Sequence, residues 1–190
     1  MMTYLQRVTV SLVFALPVVS LPAWGQTRNS LCDEIAKLNT DAHRYMPPPR
    51  WQDDELTPLD QRILQLGTQA IPLLTSCLAD ERKASVYGEL WGEPSVGMVA
   101  FSMLQELFMH CQSYDEGPCR LTIKGVITWD DLCKEGPSNV VYPCWAGWEN
   151  HLKKYGPQSI QGSWQKAWTE NKDRIYWDQA AKCFRVKKTP

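Results

Sequence analysis

The chain has 190 residues, and its 20 Lys and Arg against 21 Asp and Glu give a formal net charge of −1. This balance excludes the broad basic surface that a nucleic-acid backbone requires, and the basic stretch 185–188 is short enough to be a solvated tail. The length predicts one ordinary domain, large enough to build a hydrophobic core without the help of a metal ion.

Residues 1–25 have the order of a secretory signal peptide. Arg7 supplies a positive charge near the start, and an apolar run extends from Val8 to Val19. Ala23-Trp24-Gly25 then places small residues at the first and third positions before a polar residue, which is the pattern of a signal-peptidase site. The sequence therefore predicts cleavage after Gly25 and export of the remaining chain.

A membrane anchor is the alternative interpretation of this segment. A membrane-spanning helix needs about 20 consecutive apolar residues. This apolar run is shorter and is interrupted by Pro17, with Pro22 close behind it. The mature sequence shows no apolar run of the length needed for an integral membrane segment. We therefore expect the mature chain in the periplasm of a bacterium, or secreted.

Residues 26–190 are predicted to form a single, mainly helical domain. Its first part, 30–112, carries cap signals followed by apolar residues at spacings of three and four, which indicate amphipathic helices. Its second part, 113–190, is rich in Trp and Cys. The fold class that we predict is a compact helical domain with helix pairs, a small C-terminal β-hairpin and disulfides.

Several helices are predicted in the first part. A capping box, Ser30-Leu31-Cys32-Asp33, predicts a helix that begins there and runs to about His43. Thr57-Pro58 predicts a second helix start, because Pro is favoured at the first helical position, and Gly67 ends that helix. A third helix is expected from Gln69 to about Asp80.

Ser95 is predicted to cap the helix with the most regular apolar pattern. Its apolar residues recur at spacings of three and four, so one continuous apolar face is expected to pack against other helices. The residues of this face are Val96, Val99, Ala100, Met103, Leu104, Leu107, Phe108 and Cys111.

Residues 59–108 contain a pattern of paired helices. One helix ends in Leu66-Gly67, and the next carries Ala70-Ile71-Pro72-Leu73-Leu74 and closes with Leu78-Ala79-Asp80. This stretch resembles the short helical repeats of the HEAT type, and the run Val96–Ala100 resembles the next repeat helix. Stacked repeats normally need at least three copies, so the resemblance implies packed helix pairs and not a long solenoid. It also implies protein binding more often than catalysis.

The second part is predicted to mix short strands with two helices. Leu121–Ile127 alternates between polar and apolar residues, which favours a strand. Helices are expected near Cys144–Tyr155 and Ser159–Asn171. The segments Arg174–Trp177 and Lys182–Val186 are separated by a short polar stretch, which is the pattern of a β-hairpin.

The chain has seven cysteines, and all of them follow the predicted cleavage point. In an oxidising compartment most of them should pair, but an odd number leaves one over. Cys77 falls on the apolar stripe of a predicted helix, so we expect it to be the free, buried thiol. Spacing does not fix connectivity; the pairs that the turns favour are Cys111 with Cys119, Cys133 with Cys144, and Cys32 with Cys183.

Tryptophan is abundant, with nine residues in the chain. Clustered tryptophans can stack on sugar rings, which would suit a glycan-binding module of the cell envelope. The spacing of three and four between Trp145 and Trp148, and between Trp164 and Trp168, instead favours an aromatic core between two helices.

A cysteine hydrolase acting on the cell envelope is a further alternative. Cys144-Trp145 faintly echoes the Cys-Trp of papain-like proteases, and His151 lies seven residues on. The small residues that flank the cysteine in that signature are missing, and such motifs do not transfer on two letters. A disulfide is therefore the favoured role for Cys144.

Other catalytic and metal-binding patterns have little support in the sequence. The histidines, His43, His110 and His151, are not at metal-ligand spacing. The acid pairs Asp53-Asp54, Asp115-Glu116 and Asp130-Asp131 are adjacent in sequence, whereas glycoside hydrolysis needs two carboxylates across a cleft. We predict no catalytic residue, metal or cofactor.

These observations favour a small exported binding protein. An inhibitor or immunity protein that neutralises an exported toxin or enzyme would fit the single domain and the lack of catalytic motifs. Its partner would then be another exported protein, and nucleic acid is not expected to bind. The alternatives are a cell-envelope hydrolase or amidase and a glycan-binding module.

Overall fold

The protein is described by a computed structural model over residues 25–38, 40–41, 56–87, 93–110 and 120–188. The described part is mainly helical, as the sequence predicts. The predicted signal peptide up to residue 24, and both Cys111 and Cys119, lie outside the described residues. None of the helices in the described ranges has the length and apolar character that crossing a membrane requires.

The secondary structure follows the chain as short helices with small two-stranded sheets between and after them. The helices are α1 (Gly25–Ala36), α2 (Pro58–Leu66), α3 (Ala70–Cys77), α4 (Val96–Phe108), α5 (Trp129–Glu135), α6 (Pro143–Tyr155) and α7 (Pro157–Asn171). The strands are β1 (Thr40–Asp41), β2 (Val86–Tyr87), β3 (Met109–His110), β4 (Arg120–Leu121), β5 (Ile175–Asp178) and β6 (Cys183–Val186). β1 pairs with β2 in parallel, whereas β3–β4 and β5–β6 are antiparallel.

The start of α2 follows the predicted capping chemistry. The Thr57 side chain accepts a hydrogen bond from the Asp60 N–H at 3.1 Å, and the Asp60 carboxylate accepts one from the Thr57 N–H at 2.8 Å. These bonds satisfy two amide groups that a helix start leaves without partners. Gly67, whose φ is 55°, ends the helix in a conformation that favours glycine.

The prediction for α1 is wrong at both ends. Ser30 lies inside a helix that already begins at Gly25, and the helix ends at Ala36 instead of near His43. Asp33 does not face the helix start; its carboxylate accepts a hydrogen bond from Arg82 Nη1 at 2.7 Å. The Asp33 side chain, which could cap a helix start, therefore makes a tertiary contact with Arg82 instead.

Helix α4 is the centre of the fold. Ser95 caps it, with its hydroxyl accepting from the Met98 N–H at 3.2 Å, as predicted. The sequence predicts one apolar face, but every residue from Val96 to Phe108 is buried. The reason is its position: α1 and α3 pack on it from the first part of the chain, and β6 packs on it from the second.

The approach of α3 to α4 depends on Gly97. A Cβ at this position would overlap the Leu78 carbonyl oxygen and lie 3.0 Å from the Leu78 carbonyl carbon. Both are backbone atoms, which cannot move aside as a flexible side chain can. The small residue therefore allows the end of the α3 segment to lie directly against the start of α4.

The second part of the chain follows the sequence in its helices and its hairpin. Helices α6 and α7 begin within two residues of their predicted starts and end as predicted. β5 and β6 form the predicted antiparallel hairpin, with Ile175 opposite Val186 and Asp178 opposite Cys183. The predicted strand at 121–127 is wrong beyond Leu121, because only β4 pairs, and it does so with β3 at the end of α4.

An aromatic core joins the two parts. Phe101 on α4 lies with its ring centroid 4.9 Å from Trp129, 5.1 Å from Trp148 and 6.4 Å from Trp164. Phe108, about two turns further along α4, continues the contact to Phe184 on β6 at 5.6 Å. The hydrophobic core is thus contiguous from α1 to the terminal hairpin.

The disulfide predicted between Cys32 and Cys183 is wrong, and so is the free thiol predicted at Cys77. Cys32 is bonded to Cys77, with 5.5 Å between their Cα atoms, and among the described cysteines Cys183 is free and buried. α1 packs on α3, which places the two buried sulfurs face to face. An apolar helix stripe suits a half-cystine as well as a free thiol, because a buried disulfide is also apolar.

The HEAT-type resemblance stays a prediction. α2 and α3 are joined by a short 3₁₀ turn, Gly67–Gln69, and α3 packs on α4. Helix pairs of this kind occur in many helical folds, so their presence does not distinguish a repeat from another arrangement.

Candidate functional site

The most exposed large hydrophobic side chain of the described residues lies in the connection between α5 and α6. This connection, residues 136–142, will be called the disulfide-closed loop, because the Cys133–Cys144 bond joins the chain on either side of it. The bonded partners are those that the turn between them favours. Val141 is 82% exposed and Val140 is 39% exposed. The loop sequence, Gly-Pro-Ser-Asn-Val-Val-Tyr, contains no charged residue.

The loop is held at its N-terminal end by α5. Thr128 and Asp131 form a capping box, in which the Thr128 hydroxyl accepts from the Asp131 N–H at 3.2 Å and the Asp131 carboxylate accepts from the Thr128 N–H at 3.0 Å. Asp131 belongs to the acid pair Asp130-Asp131, for which the sequence predicts no catalytic role. Gly136 then ends α5, and its N–H donates to the Leu132 carbonyl at 3.2 Å.

The other end of the loop is fixed by α6. Pro143 occupies the first turn of this helix, where its missing N–H has no cost. Asn150 Nδ2 donates to the Glu135 backbone carbonyl at 3.1 Å. A Cβ at Gly147 would overlap the Leu132 carbonyl oxygen, so the two backbones are in direct contact. The loop therefore projects from a rigid base made by α5 and α6.

A polar cluster lies beneath this base and consists of Glu135, His151 and Ser159. His151 Nδ1 is 2.9 Å from Glu135 Oε1, and His151 Nε2 is 2.9 Å from Ser159 Oγ. The histidine is 6% exposed. The cluster connects the end of α5, the middle of α6 and the first turn of α7, and it thereby fixes the α5 end of the loop.

The cluster has the connectivity that serine hydrolases use, with a hydroxyl, an imidazole and a carboxylate in line. The Ser159 hydroxyl also lies 2.7 Å from the Gly156 carbonyl, to which it donates. A hydroxyl has one hydrogen, so donation to Gly156 leaves none for the imidazole. This hydrogen bond favours a structural role, in which the cluster holds three helices together.

Sequence reasoning missed this cluster. Glu135 and His151 are 16 residues apart, and His151 and Ser159 are 8 apart, so no local motif links them. The sequence gives His151 a role only in the disfavoured cysteine-hydrolase interpretation, as the partner of Cys144. In the structure Cys144 is bonded to Cys133, and both ring nitrogens of His151 contact other residues.

Of the six tryptophans that the structure describes, two are buried and four are half-buried. Trp148 is 2% exposed and Trp164 is fully buried, whereas Trp145 and Trp168 are half-buried against the core. A ring that stacks on a sugar needs an open face, which Trp148 and Trp164 do not have. Their positions agree with the aromatic core that the spacing favours, although its centre is Phe101 on α4 and not the contact between α6 and α7.

The remaining candidate residues do not assemble into a site. Among the residues that the structure describes, no group of three or more His, Cys, Asp or Glu could hold a metal ion. His43 and the acid pairs Asp53-Asp54 and Asp115-Glu116 lie outside those residues.

Cys183 is predicted from the sequence to form a disulfide, but in the structure its thiol is free. It is buried at the start of β6. Burial raises the pKa of its thiol, and the nearby Arg185 opposes this effect only in part. Thiolate is the reactive form, so the burial of Cys183 and its raised pKa both predict low reactivity in the native protein.

We expect N-ethylmaleimide at pH 8 to modify Cys183 at least about tenfold more slowly in the native protein than in the unfolded chain. The measurement is mass spectrometry of the peptide that contains Cys183, with labelling before and after addition of guanidinium and without a reductant. Equal rates in the two states would show an exposed thiol. No modification after unfolding would show that Cys183 is bonded.

Comparison with protein-family models, with curated proteins and with solved structures found no match for this chain.

Proposed function

We propose that this protein is exported and binds another exported protein, as an inhibitor or immunity protein that neutralises a toxin or an enzyme. One observation carries the proposal: Val141, an apolar side chain that is 82% exposed, stands on an uncharged loop closed by a disulfide. The disulfides support export to a compartment where thiols pair, and the periplasm is the compartment we infer from the predicted signal peptide.

The energetics of the loop suit binding. Burial of a valine side chain contributes about 1.5–3 kcal/mol, and this contribution is not used within the protein because Val141 faces solvent. The disulfide and the α5–α6 base already order the loop, so less conformational entropy is lost when a partner orders it further. The partner surface that fits the disulfide-closed loop is an apolar recess that contains no charged group, because the loop itself carries no charge.

Val141→Asp is expected to weaken binding of the partner by about 30-fold or more, which is the effect of removing an interface hot spot. The stability of the protein should change by less than about 0.5 kcal/mol, because the residue is exposed. The measurement is affinity capture from an envelope fraction of the source organism, followed by isothermal titration of the captured protein, once purified, with both variants.

Tyr176→Asp is the matched control, because it introduces the same charge at another exposed apolar residue, 38% exposed on the C-terminal hairpin. We expect it to bind as the unmodified protein does, with one partner per chain. Equal affinity of the Val141 variant, or loss of binding in the Tyr176 variant alone, would contradict the assignment to the loop.

A hydrolase is the second candidate, and the Glu135–His151–Ser159 cluster is the observation that favours it. A working serine nucleophile reacts with a fluorophosphonate probe: the base removes the hydroxyl proton as the oxygen attacks phosphorus, the P–F bond breaks and fluoride leaves. Because the Ser159 hydroxyl donates to Gly156, we expect no adduct on the native protein. An adduct that disappears in both Ser159→Ala and His151→Gln would favour the hydrolase over the binding protein.

A further inference from the structure

The two disulfides of the described residues lie in different environments. Cys32 is 5% exposed and Cys77 is fully buried. Cys133 and Cys144 are both half-buried, at the two ends of a loop whose residues 137–141 are exposed. Thiol–disulfide exchange requires a thiolate to reach a sulfur atom. We therefore expect a reductant to reach the Cys133–Cys144 bond in the native protein more readily than the Cys32–Cys77 bond, which lies between α1 and α3.

We propose that the Cys133–Cys144 bond is a reaction site for a dithiol reductant, which opens the disulfide-closed loop without unfolding the protein. A thiolate of the dithiol attacks one sulfur, the bond between Cys133 and Cys144 breaks, and a mixed disulfide forms. The second thiolate of the reductant then displaces the protein sulfur. Two electrons pass to the protein, two protons are taken up by its thiols, and the reductant leaves as a disulfide.

The rest of the base does not depend on this bond. The Asn150 side chain still reaches the Glu135 carbonyl, and His151 still joins Glu135 to Ser159. Leu132 and Trp148 remain buried in the core on either side of the contact. Reduction is thus expected to release the loop at its ends while α5 and α6 stay packed.

The consequence for binding rests on the proposed function. A loop that is ordered before binding loses affinity when its closure is removed, because the partner must then order it. The reduced protein should bind the partner more weakly than the oxidised protein. Export and reduction together would make the Cys133–Cys144 bond a redox control of the binding loop.

The test is a titration of the full-length native protein with dithiothreitol, quenched with N-ethylmaleimide and mapped by mass spectrometry. Cys133 and Cys144 should be alkylated at a dithiothreitol concentration at least about tenfold below that needed for Cys32 and Cys77. The far-UV circular dichroism should be unchanged at that concentration. Reduction of both bonds together, or of Cys32–Cys77 first, would overturn the proposal.

A variant with Cys133→Ser and Cys144→Ser separates the two parts of the idea. It should fold, and its affinity for the purified partner should match that of the selectively reduced protein. If Val141→Asp abolishes binding and reduction does not weaken it, redox control is overturned and the binding function stands. If selective reduction is observed and neither change affects binding, the assignment of binding to the disulfide-closed loop fails and the reaction site stands.

Discussion

Phe101→Ala is expected to lower the free energy of unfolding by about 3–5 kcal/mol, the range for removal of a fully buried aromatic side chain. Phe101 has no exposed surface and contacts the rings of Trp129, Trp148 and Trp164. Its removal leaves a cavity where α4, α5, α6 and α7 meet, which neighbouring helices cannot fill without moving. Urea denaturation followed by far-UV circular dichroism measures the effect.

Two control variants separate the core from the aromatic ring itself. Phe101→Leu keeps most of the apolar volume and should cost clearly less than the alanine variant. Tyr176→Ala removes an exposed aromatic residue and should cost less than about 1 kcal/mol. If Phe101→Ala cost no more than Tyr176→Ala, Phe101 would not be at the centre of the core.

The second large effect is expected from the buried disulfide. Replacement of Cys32 and Cys77 by Ala removes a crosslink between residues 45 apart. In the chain-entropy model such a crosslink contributes about 4 kcal/mol by restricting the unfolded chain. The same model gives about 3 kcal/mol for the Cys133–Cys144 bond, whose separation is 11. Urea denaturation of both double variants without reductant compares them.

Cys183→Ala is the control for the corrected connectivity. A free buried thiol contributes only its packing, so this variant should lose much less stability than the Cys32 and Cys77 variant. If Cys183→Ala and Cys32→Ala were equally destabilising, and Cys77→Ala were mild, the pairing of Cys32 with Cys183 would be restored.

Local chemistry explains the elements that the sequence predicts well. The starts of α2 and α4 depend on Thr57 and Ser95, whose side chains accept hydrogen bonds from amides three residues away. Such bonds are set by residues adjacent in the chain, so the sequence contains the whole signal. The hairpin of β5 and β6 is also local, because its strands are neighbours.

The failures are those features that distant residues determine. Ser30 and Asp33 are residues of the types that form a capping box. The Asp33 carboxylate instead accepts a hydrogen bond from Arg82, 49 residues away in the chain. The choice of Cys32 as the partner of Cys77 depends on α1 packing against α3. Neither the Asp33–Arg82 contact nor the packing of α1 on α3 can be predicted from the spacing of residues in the sequence.

The candidate site was predictable only in part. The sequence favours the Cys133–Cys144 pair because a turn lies between them, and this turn is the loop proposed here to bind the partner. The exposure of Val141 could not be predicted, because an apolar residue beside a predicted helix is more often buried. The assembly of Glu135, His151 and Ser159 requires three helices to be in place.

The most direct measurement of the proposed function is site-specific photocrosslinking. p-Benzoylphenylalanine at position 141 of the full-length protein, irradiated in an envelope fraction of the source organism, should give one dominant protein adduct, which then binds the purified protein one to one. The same probe at position 176 should not give that adduct. An adduct at position 176 but not at 141, or no protein adduct at 141, would contradict binding through the disulfide-closed loop.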